Sequence, residues 1–447
     1  MKNKYSSFEG KVDLSVLFVE RCLDLLKKDS ILGLIIQRRW FKTTYGEKAR
    51  NVIADSGYLK TLLDIGTTKL FHGRITYVSI IILQKMNKKS VEYDYIPGND
   101  CVDVINYLSK KDKVRKEIPM SFFQGRVWSP EFYDMTKIKE KYAEKIGTLG
   151  ENSSIHIRDG IQALWKKMYH ITQYYEKNNM IYGKNGFGET VCLEKDMVKP
   201  VIYNREFLPL KSLKPDAYCL FPYSGMNNKV KVSINEIKDK FPKTYQYLSR
   251  NKTRICDQVE CNEGEYWHTF TREHNHECFL SKKVIIPMTA RDTFATYEGG
   301  KGLYMDNSNV WFINVDSEDE IELKAIAMII NSTVFSVFAK SGANPQSGNY
   351  FKFNKQFLVP VPFPNSRVNK EDMFTWKLSK LYDEIVNIME QHNKAGEINA
   401  IHFESVLESK WEEVDATCEK MYELEDSDLY EIKKMGRALS RITGLER

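Results

Sequence analysis

The feature that most constrains the fold of this chain is an unbroken apolar run over residues 31–36, Ile-Leu-Gly-Leu-Ile-Ile. It follows an amphipathic helical pattern over residues 13–28, which Asp29 and Ser30 end. A strand-length run without polar alternation is typical of strands covered on both faces, as in parallel sheets. The sequence therefore predicts an α/β layer in which residues 31–36 form a buried parallel strand.

Three further elements extend this layer. Residues 45–55 return to helical periodicity and end at Ser56-Gly57, and residues 59–65 and 76–84 have the composition of strands. With residues 31–36 these make three predicted strands, and a parallel α/β sheet normally has more. The first element is also a helix, whereas such a sheet usually begins with a strand. We therefore expect residues 1–95 to form the rear part of an α/β domain whose sheet is incomplete.

The remaining residues divide into three parts. Residues 96–146, with a helical pattern over 136–145, are interpreted as a connecting segment. Residues 147–365 are predicted to form a mixed α+β domain with one helix over 321–339. Its clearest strand patterns are residues 198–203, 284–287 and 310–315. Prolines 360, 362 and 364 remove three backbone donors and mark the end of this domain.

The last part, residues 366–447, is predicted to be a helical tail, because residues 371–394 and 404–439 have helical periodicity and many i, i+4 charge partners. Formal charge is +9 over residues 1–150, +3 over 151–365 and −6 over 366–447. A basic front permits contact with a polyanion without requiring it.

Composition excludes several classes of protein. The chain is 42% hydrophobic, 12% aromatic and 28% charged, which is typical of a folded globular protein. The longest apolar runs are far shorter than the roughly 20 residues of a membrane span, and residues 1–11 lack the pattern of a secretory signal. We therefore expect a cytoplasmic protein, and the eight scattered cysteines are expected to be reduced thiols.

The order of features in residues 13–86 resembles the rear half of the catalytic domain of TaqI-like and type IIG adenine-N6 DNA methyltransferases. The pieces that carry this resemblance are residues 13–21, residues 33–40, Tyr45-Gly46 with Arg50, residues 63–66, residues 69–71 and residues 76–85. The resemblance implies a partial Rossmann-like methyltransferase sheet. In that family an aromatic residue at the position of Phe71 stacks on the flipped-out adenine, and this role is carried over to Phe71. The alternative is that Phe71 packs beneath the strand pair.

Residues 147–365 resemble the TaqI-like target-recognition domain of the same family, which implies double-stranded DNA as a partner. The matching pieces are residues 160–162, 200–202, Trp267, 283–287, 328–332 and 357–364. The acidic tail is similar to that of the larger type IIG relatives. The resemblance thus covers nearly the whole chain and implies a role in restriction-modification or a related phage-defence system.

The family's catalytic loop does not occur in this sequence. The amino nitrogen of adenine is a poor nucleophile because its lone pair is delocalised into the ring. In the family, an Asn/Asp-Pro-Pro-Tyr/Phe loop holds the amino group with hydrogen-bond acceptors and so makes the lone pair available again. No such tetrapeptide is present in the 447 residues. S-adenosylmethionine also requires a glycine-rich turn after a first strand, and residues 63–68 lack its second glycine. We therefore expect no catalytic and no cofactor-binding residue in this chain.

Two explanations of this deficiency remain open. In the first, a partner carrying the N-terminal methyltransferase half supplies the catalytic loop and binds S-adenosylmethionine. In the second, the chain is a catalytically inactive DNA-binding specificity module or a truncated remnant. An uncovered internal strand edge is an aggregation liability, and this favours the partner.

DNA contacts are expected from basic and polar side chains on loops of the recognition region, because phosphate contacts fix register and base-edge contacts specify sequence. The candidates are Lys166, Lys167, Arg250, Lys252, Arg254, Arg272, Arg291, Gln346, Asn349 and Tyr350. A second cluster comprises Cys256, Cys261, His268, His274, His276 and Cys278. Its spacing lacks the paired hooks of zinc modules, so no metal site is predicted.

Overall fold

The computed structural model shows a mixed α/β protein with several sheets and many helices, in agreement with the predicted fold class. It describes residues 5–8, 13–43, 46–66, 68, 70–71, 76–96, 100–110, 115–124, 127–203, 209–210, 213–225, 227–346, 349–394 and 397–446. Tyr45 and Lys69, which contribute to the resemblance, lie outside these residues. The chain forms two compact units, Met1–Lys137 with Gln346–Asn349 and Ile138–Pro345 with Tyr350–Arg447. The four-part division made from the sequence stays a prediction.

The first unit is built on one five-stranded sheet. Its elements are α1 Leu14–Leu25, β1 Ile31–Gln37, α2 Glu47–Ser56, β2 Leu59–Asp64, β3 Val78–Gln84, β4 Ser90–Tyr95, α3 Cys101–Ser109 and β5 Lys116–Pro119. The strand order is β1-β3-β2-β4-β5, and only the β2–β4 pair is parallel. The helix over residues 13–28 and the strands over 59–65 and 76–84 are therefore confirmed.

The prediction of a buried parallel strand over residues 31–36 was wrong. β1 runs antiparallel to β3, and among the described residues it pairs on that side only. Alternate side chains face outwards, so that Ile31 and Ile35 are 60% and 61% exposed. An apolar run identifies residues with apolar side chains, but it does not tell which other elements of the fold pack against them.

The larger apolar cluster of the first unit lies on the opposite face of the sheet. Trp40 and Phe41, which follow β1, meet Trp128 at ring-centroid distances of 5.6 and 5.4 Å, and Phe123 meets the same indole at 5.2 Å. Large rings bury much apolar area and dominate a core of this size. Arg50 on α2 donates to the carbonyl oxygen of Trp40 at 2.7 Å, which fixes the exit of β1 against the helix.

The second unit contains two larger sheets and a helical layer. Its strands are β6 Ile155–Asp159, β7 His170–Lys177, β8 Met180–Lys184, β9 Thr190–Glu194, β10 Val198–Ile202, β11 Ala217–Leu220, β12 Tyr223–Ser224, β13 Val230–Lys231, β14 Lys283–Pro287, β15 Thr289–Ala290, β16 Thr296–Glu298, β17 Tyr304–Met305, β18 Val310–Val315, β19 Asn344–Gln346 and β20 Tyr350–Lys352. The sheets have the orders β17-β10-β11-β7-β8-β9 and β16-β14-β18-β6. The three clearest strand patterns correspond to β10, β14 and β18.

The helices of the second unit are more numerous than the sequence predicted. They are α5 Lys166–Tyr169, α6 Ile234–Lys240, α7 Pro242–Cys256, α8 Glu320–Asn331, α9 Thr333–Gly342, α10 Lys355–Leu358, α11 Met373–Lys394, α12 Glu397–Met421 and α13 Asp426–Met435, while α4 Tyr133–Ile146 crosses the boundary between the units. The prediction of one helix within residues 147–365 was wrong. α7 was missed because it is largely polar and begins at a proline, a residue that is also common in loops.

The helix predicted over residues 321–339 is divided at Ser332, whose extended backbone ends α8 and whose hydroxyl caps α9. Arg441 closes this break: it donates to the carbonyl oxygen of Asn331 and forms a two-bond pair with Asp415, which also accepts from the backbone N–H of Thr333. Within the described residues no single helix has the length and apolarity to cross a membrane. α8 and α9 reach both only together, and they bend by 65°.

Candidate nucleic-acid interface

Phe71 lies in the first unit, shortly after β2. The preceding Leu70 packs against a small cluster that includes Leu63, Ile65 and Val78, whereas the Phe71 side chain is 49% exposed. An aromatic ring half in solvent beside an anchored neighbour can contact a ligand without unfolding anything. The ring is accessible, and its contact with a base remains a prediction.

A buried ionic network lies in the same unit and includes Asp64, the last residue of β2. Arg38, just after β1, forms two parallel hydrogen bonds of 2.7 and 2.8 Å to the fully buried carboxylate of Asp64. Arg38 also contacts Glu131 at 3.0 Å, and Lys42 contacts the same carboxylate at 3.3 Å. Burial lowers the pKa of Lys42 despite this carboxylate. Because all four charges are neutralised mutually, the network can stay out of water.

This network holds both ends of the segment between β2 and β3. At the start, the backbone N–H of Gly66 donates to the Asp64 carboxylate at 3.0 Å, with Gly66 in the left-handed region at φ 61°. At the end, the backbone N–H of Arg38 donates to the carbonyl oxygen of Tyr77 at 2.9 Å, and Ser79 donates to Asp64 at 3.3 Å. Asp64 therefore acts as a structural anchor for the segment with Phe71.

In the second unit, two of the basic candidates meet at an aromatic side chain that the sequence analysis did not single out. The guanidinium of Arg254 on α7 lies 3.8 Å from the ring centroid of Phe187, and the Lys167 ammonium lies 5.3 Å from it. Trp165 packs edge-on to the same ring at 5.3 Å. The Asn-Gly-Phe-Gly sequence between two strands was the available signal, since an aromatic residue in a glycine turn has little local reason to be there.

Lys166 points elsewhere, although it is adjacent to Lys167. Its ammonium lies 2.6 Å from the fully buried carboxylate of Asp306, which also faces the imidazole of His170 at 3.4 Å. Burial lowers the pKa of His170 although the nearby Asp306 opposes this shift. The imidazole is therefore neutral at neutral pH. With its charge compensated in this way, Lys166 is a poorer phosphate ligand than its neighbour.

The other candidates are distributed over the second unit. Arg250 is exposed on α7, one turn before Arg254, and Arg272 is exposed in a loop. Lys252 lies 5.3 Å from the ring of Trp267. The guanidinium of Arg291 lies 5.3 Å from the ring centroid of Tyr350, so the structure brings these two candidates together. Arg291 also pairs with Glu446.

Gln346 and Asn349 group with the first unit, and Tyr350 groups with the second. Asn349 is exposed and has a left-handed backbone, φ 60°, whereas Gln346 is half-buried. Tyr350 is 39% exposed. The two residues between Gln346 and Asn349 lie outside the described part of the chain.

The cysteine and histidine cluster has a structural role in this arrangement. Cys256 and Cys261 form a disulfide, which corrects the expectation that all thiols are reduced. The Nε2–H of His268 donates to the carbonyl oxygen of Val232, and burial lowers the pKa of His268 to about 4. Burial also lowers the pKa of His276, whose ring packs among aromatic side chains. Across the described residues, no group of three or more His, Cys, Asp or Glu side chains could hold a metal ion.

Comparison with known proteins finds similarity to restriction-modification enzymes. Residues 1–71 match the model of the Eco57I restriction-modification methylase family. The type II restriction enzyme and methyltransferase RM.Eco57I of Escherichia coli is 22% identical over 451 residues, which cover 96% of this chain and 44% of that protein. The type II methyltransferase M.BstVI of Geobacillus stearothermophilus is 20% identical, over 83% of this chain and 64% of that protein.

The fold is similar to that of a solved restriction-modification enzyme. The type IIL enzyme MmeI in complex with DNA superposes with a TM-score of 0.56 at 9% identity, covering 94% of this chain and 51% of that one. The chain thus spans between about half and two thirds of the length of these relatives. The chain is similar in sequence to the Eco57I-type restriction-modification methylases.

Proposed function

We propose that this chain recognises double-stranded DNA for adenine-N6 methylation, as the rear part of a methyltransferase. The catalytic loop and the S-adenosylmethionine site come from polypeptide outside these 447 residues. The observation that carries this proposal is the uncovered apolar edge of the first unit. The remaining support comes from Phe71, the pairing of Lys167 and Arg254 at Phe187 in the second unit and the similarity to type II methyltransferases.

The uncovered edge is formed by β1 and the adjoining strand. Ile31 and Ile35 are 60% and 61% exposed on the outer face of β1, whereas Ile80 and Ile82 of β3 on the same face are partly buried, and Ile80 packs against a small apolar cluster. The backbone groups on the far side of β1 face no other described strand. A free apolar edge strand is a site for pairing with another strand.

Helix α1 presents a second apolar surface. Leu14, Phe18 and Leu25 are 70%, 61% and 63% exposed, and at spacings of four and seven residues they lie on one side of the helix. The opposite side, with Val16 and Val19, packs into the core of the first unit. A helix that is apolar on both sides is normally covered on both, so α1 and β1 together are suited to a further layer of structure.

This further layer must also supply the chemistry. Adenine methylation needs acceptors that hold the amino group, and the sequence contains no Asn/Asp-Pro-Pro-Tyr/Phe loop. S-adenosylmethionine, when bound there, supplies the methyl group. Phe71 then presses on the extruded base, and the Arg38–Asp64 pair keeps the segment of Phe71 in place.

The proposal is tested by methylation with purified components. The full chain is mixed with DNA and tritiated S-adenosylmethionine, with and without the polypeptide encoded immediately upstream of Met1, and N6-methyladenine is scored. We expect methylation only when both are present. Methylation by the chain alone would overturn the proposal. DNA binding without methylation in either mixture would support the alternative, a catalytically silent specificity module.

A matched pair of variants connects the test to the edge. Ile35→Lys places a charge on the exposed face of β1, whereas Met86→Lys changes a side chain that is 43% exposed outside the strands. We expect Ile35→Lys to abolish methylation by the mixture without changing DNA binding by the chain, and Met86→Lys to preserve both. Equal methylation by the two variants would contradict a role for this edge.

A further inference from the structure

The guanidinium of Arg254 is held in one orientation by two neighbours. The ring of Phe187 covers one of its faces at 3.8 Å, and one terminal nitrogen donates to the carboxylate of Glu189 at 2.8 Å. The side chain is nevertheless 39% exposed. An arginine on a surface normally samples many rotamers, so an arginine held by both a ring and a carboxylate has lost that freedom before any ligand arrives.

Both neighbours depend on one buried amide. Asn185, which is 3% exposed, accepts from the backbone N–H groups of Phe187 and Glu189 at 3.0 and 3.1 Å. Its amide nitrogen donates to the Glu189 carboxylate at 2.7 Å and reaches the hydroxyl of Tyr247 on α7 at 3.3 Å. The turn between β8 and β9 is therefore joined to the helix that carries Arg254.

The adjacent residues fix the position of this turn. Gly186 donates its backbone N–H to the carbonyl oxygen of Lys167 at 2.7 Å, and a Cβ at Gly186 would lie 2.7 Å from the Lys167 Cα. Only glycine permits this approach. The Lys167 ammonium is thereby placed 5.3 Å from the Phe187 ring, on a flexible stem beside the fixed arginine.

We propose that Arg254 reads a guanine edge in the major groove, with Phe187 and Glu189 as the residues that position it. This inference rests on the DNA recognition proposed above. The planar fork of arginine matches the O6 and N7 acceptors of guanine. A phosphate is a poorer ligand at this place, because the Glu189 carboxylate would repel it, whereas guanine acceptors are neutral. Lys167 provides the adjacent phosphate contact.

The charge of Glu189 supports this choice between guanine and phosphate. The hydrogen bond from Asn185, followed by that from Arg254, lowers the pKa of Glu189. The carboxylate therefore remains ionised at neutral pH, and the repulsion of a phosphate persists.

The test uses the full chain and a pool of randomised DNA duplexes. The base preferences of the wild type are compared with those of Arg254→Ala, Arg254→Lys and Phe187→Leu, and Lys243→Ala, which removes an exposed cation from the same helix, is the matched control. We expect the wild type to prefer guanine at one position and to lose about tenfold or more in affinity when 7-deazaguanine is placed there, since N7 is then missing. Arg254→Ala and Arg254→Lys should lose this preference and the sensitivity to 7-deazaguanine, Phe187→Leu should lose part of both, and Lys243→Ala should keep them.

Three outcomes would overturn the inference. If Arg254→Ala weakens binding to all sequences equally and reduces the salt slope by about one, Arg254 contacts a phosphate. If Arg254→Ala retains every preference of the wild type, Arg254 does not read the sequence. If the wild type does not bind duplex DNA at all, the proposed function fails first, and that result is distinguishable because no variant is needed to see it.

Discussion

Asp64→Asn provides a quantitative test of the buried ionic network that joins Asp64 to Arg38 and Glu131. The carboxylate of Asp64 is fully buried and receives two bonds from Arg38, one from Gly66 and one from Ser79. Asparagine keeps the volume but removes the charge and one acceptor. The guanidinium of Arg38, whose side chain is only 11% exposed, then keeps Glu131 as its carboxylate partner at 3.0 Å.

The expected cost follows from this burial. Breaking one half of a buried ion pair costs about 3 to 5 kcal/mol. Here Glu131 alone would face the two buried cations Arg38 and Lys42, so one positive charge would stay desolvated without compensation. Since a folded domain is stable by only about 5 to 15 kcal/mol, this change removes a large fraction of the stability of the first unit. For a unit of this size the midpoint of thermal unfolding should fall by about 10 °C or more.

The measurement is thermal and urea unfolding of the full chain, with hydrogen exchange to assign the transition to the first unit. Asp134→Asn is the control, because Asp134 pairs with Lys116 in the same unit but both side chains are exposed, at 65% and 41%. The control should change the stability by less than about 1 kcal/mol. A loss below about 1 kcal/mol for Asp64→Asn would refute the assignment of Asp64 as an anchor.

Three further predictions concern other parts of the chain. Arg441→Ala should cost about 3 kcal/mol in the second unit, measured by urea unfolding, because Asp415 then keeps its buried charge without its guanidinium partner. Burial alone would raise the pKa of Asp415, but Arg441 outweighs it and the pKa lies below its usual value, so the stability advantage of the wild type over Asp415→Asn should be complete above about pH 4 and shrink as the pH falls below it. Gly186→Ala should weaken DNA binding and cost about 1 to 3 kcal/mol, measured by filter binding and unfolding, because the new methyl group would meet the Lys167 backbone, whereas Gly33→Ala has nothing within 4 Å and should cost nothing.

Local sequence patterns predicted the helices and strands of the first unit, but they did not predict which strands pair with each other in the sheet. β2 and β3 were recognised because their apolar residues are bounded by turn residues, and these signals are local. The exposure of Ile35 was not predictable, because it depends on which strand lies beside β1. The break at Ser332 was missed for a related reason: serine is tolerated inside a helix, and here the pairing of Asp415 with the next turn favours a new start.

The candidate site shows the same limit more strongly. Charge alone identified Lys167 and Arg254 individually, but the side chain that brings them together, Phe187, lies 67 residues before Arg254 in the sequence. The pairing of Arg38 with Asp64 likewise joins two elements across the sheet. Periodicity reports the face of an element, whereas a site is made by contacts between elements that no local window contains.

The apolar edge also bounds how strongly a separate catalytic half could bind. Five side chains on α1 and β1 are 60–70% exposed, and covering that exposed fraction is worth about 5 to 9 kcal/mol at about 1.5 to 3 kcal/mol for each fully buried residue. Association itself costs about 4 kcal/mol or more in lost freedom. Side-chain burial therefore leaves little surplus, and a stable assembly requires backbone pairing along β1 as well. A covalent connection between the halves would remove most of the association cost, so the same edge would hold firmly within one polypeptide and only weakly between two.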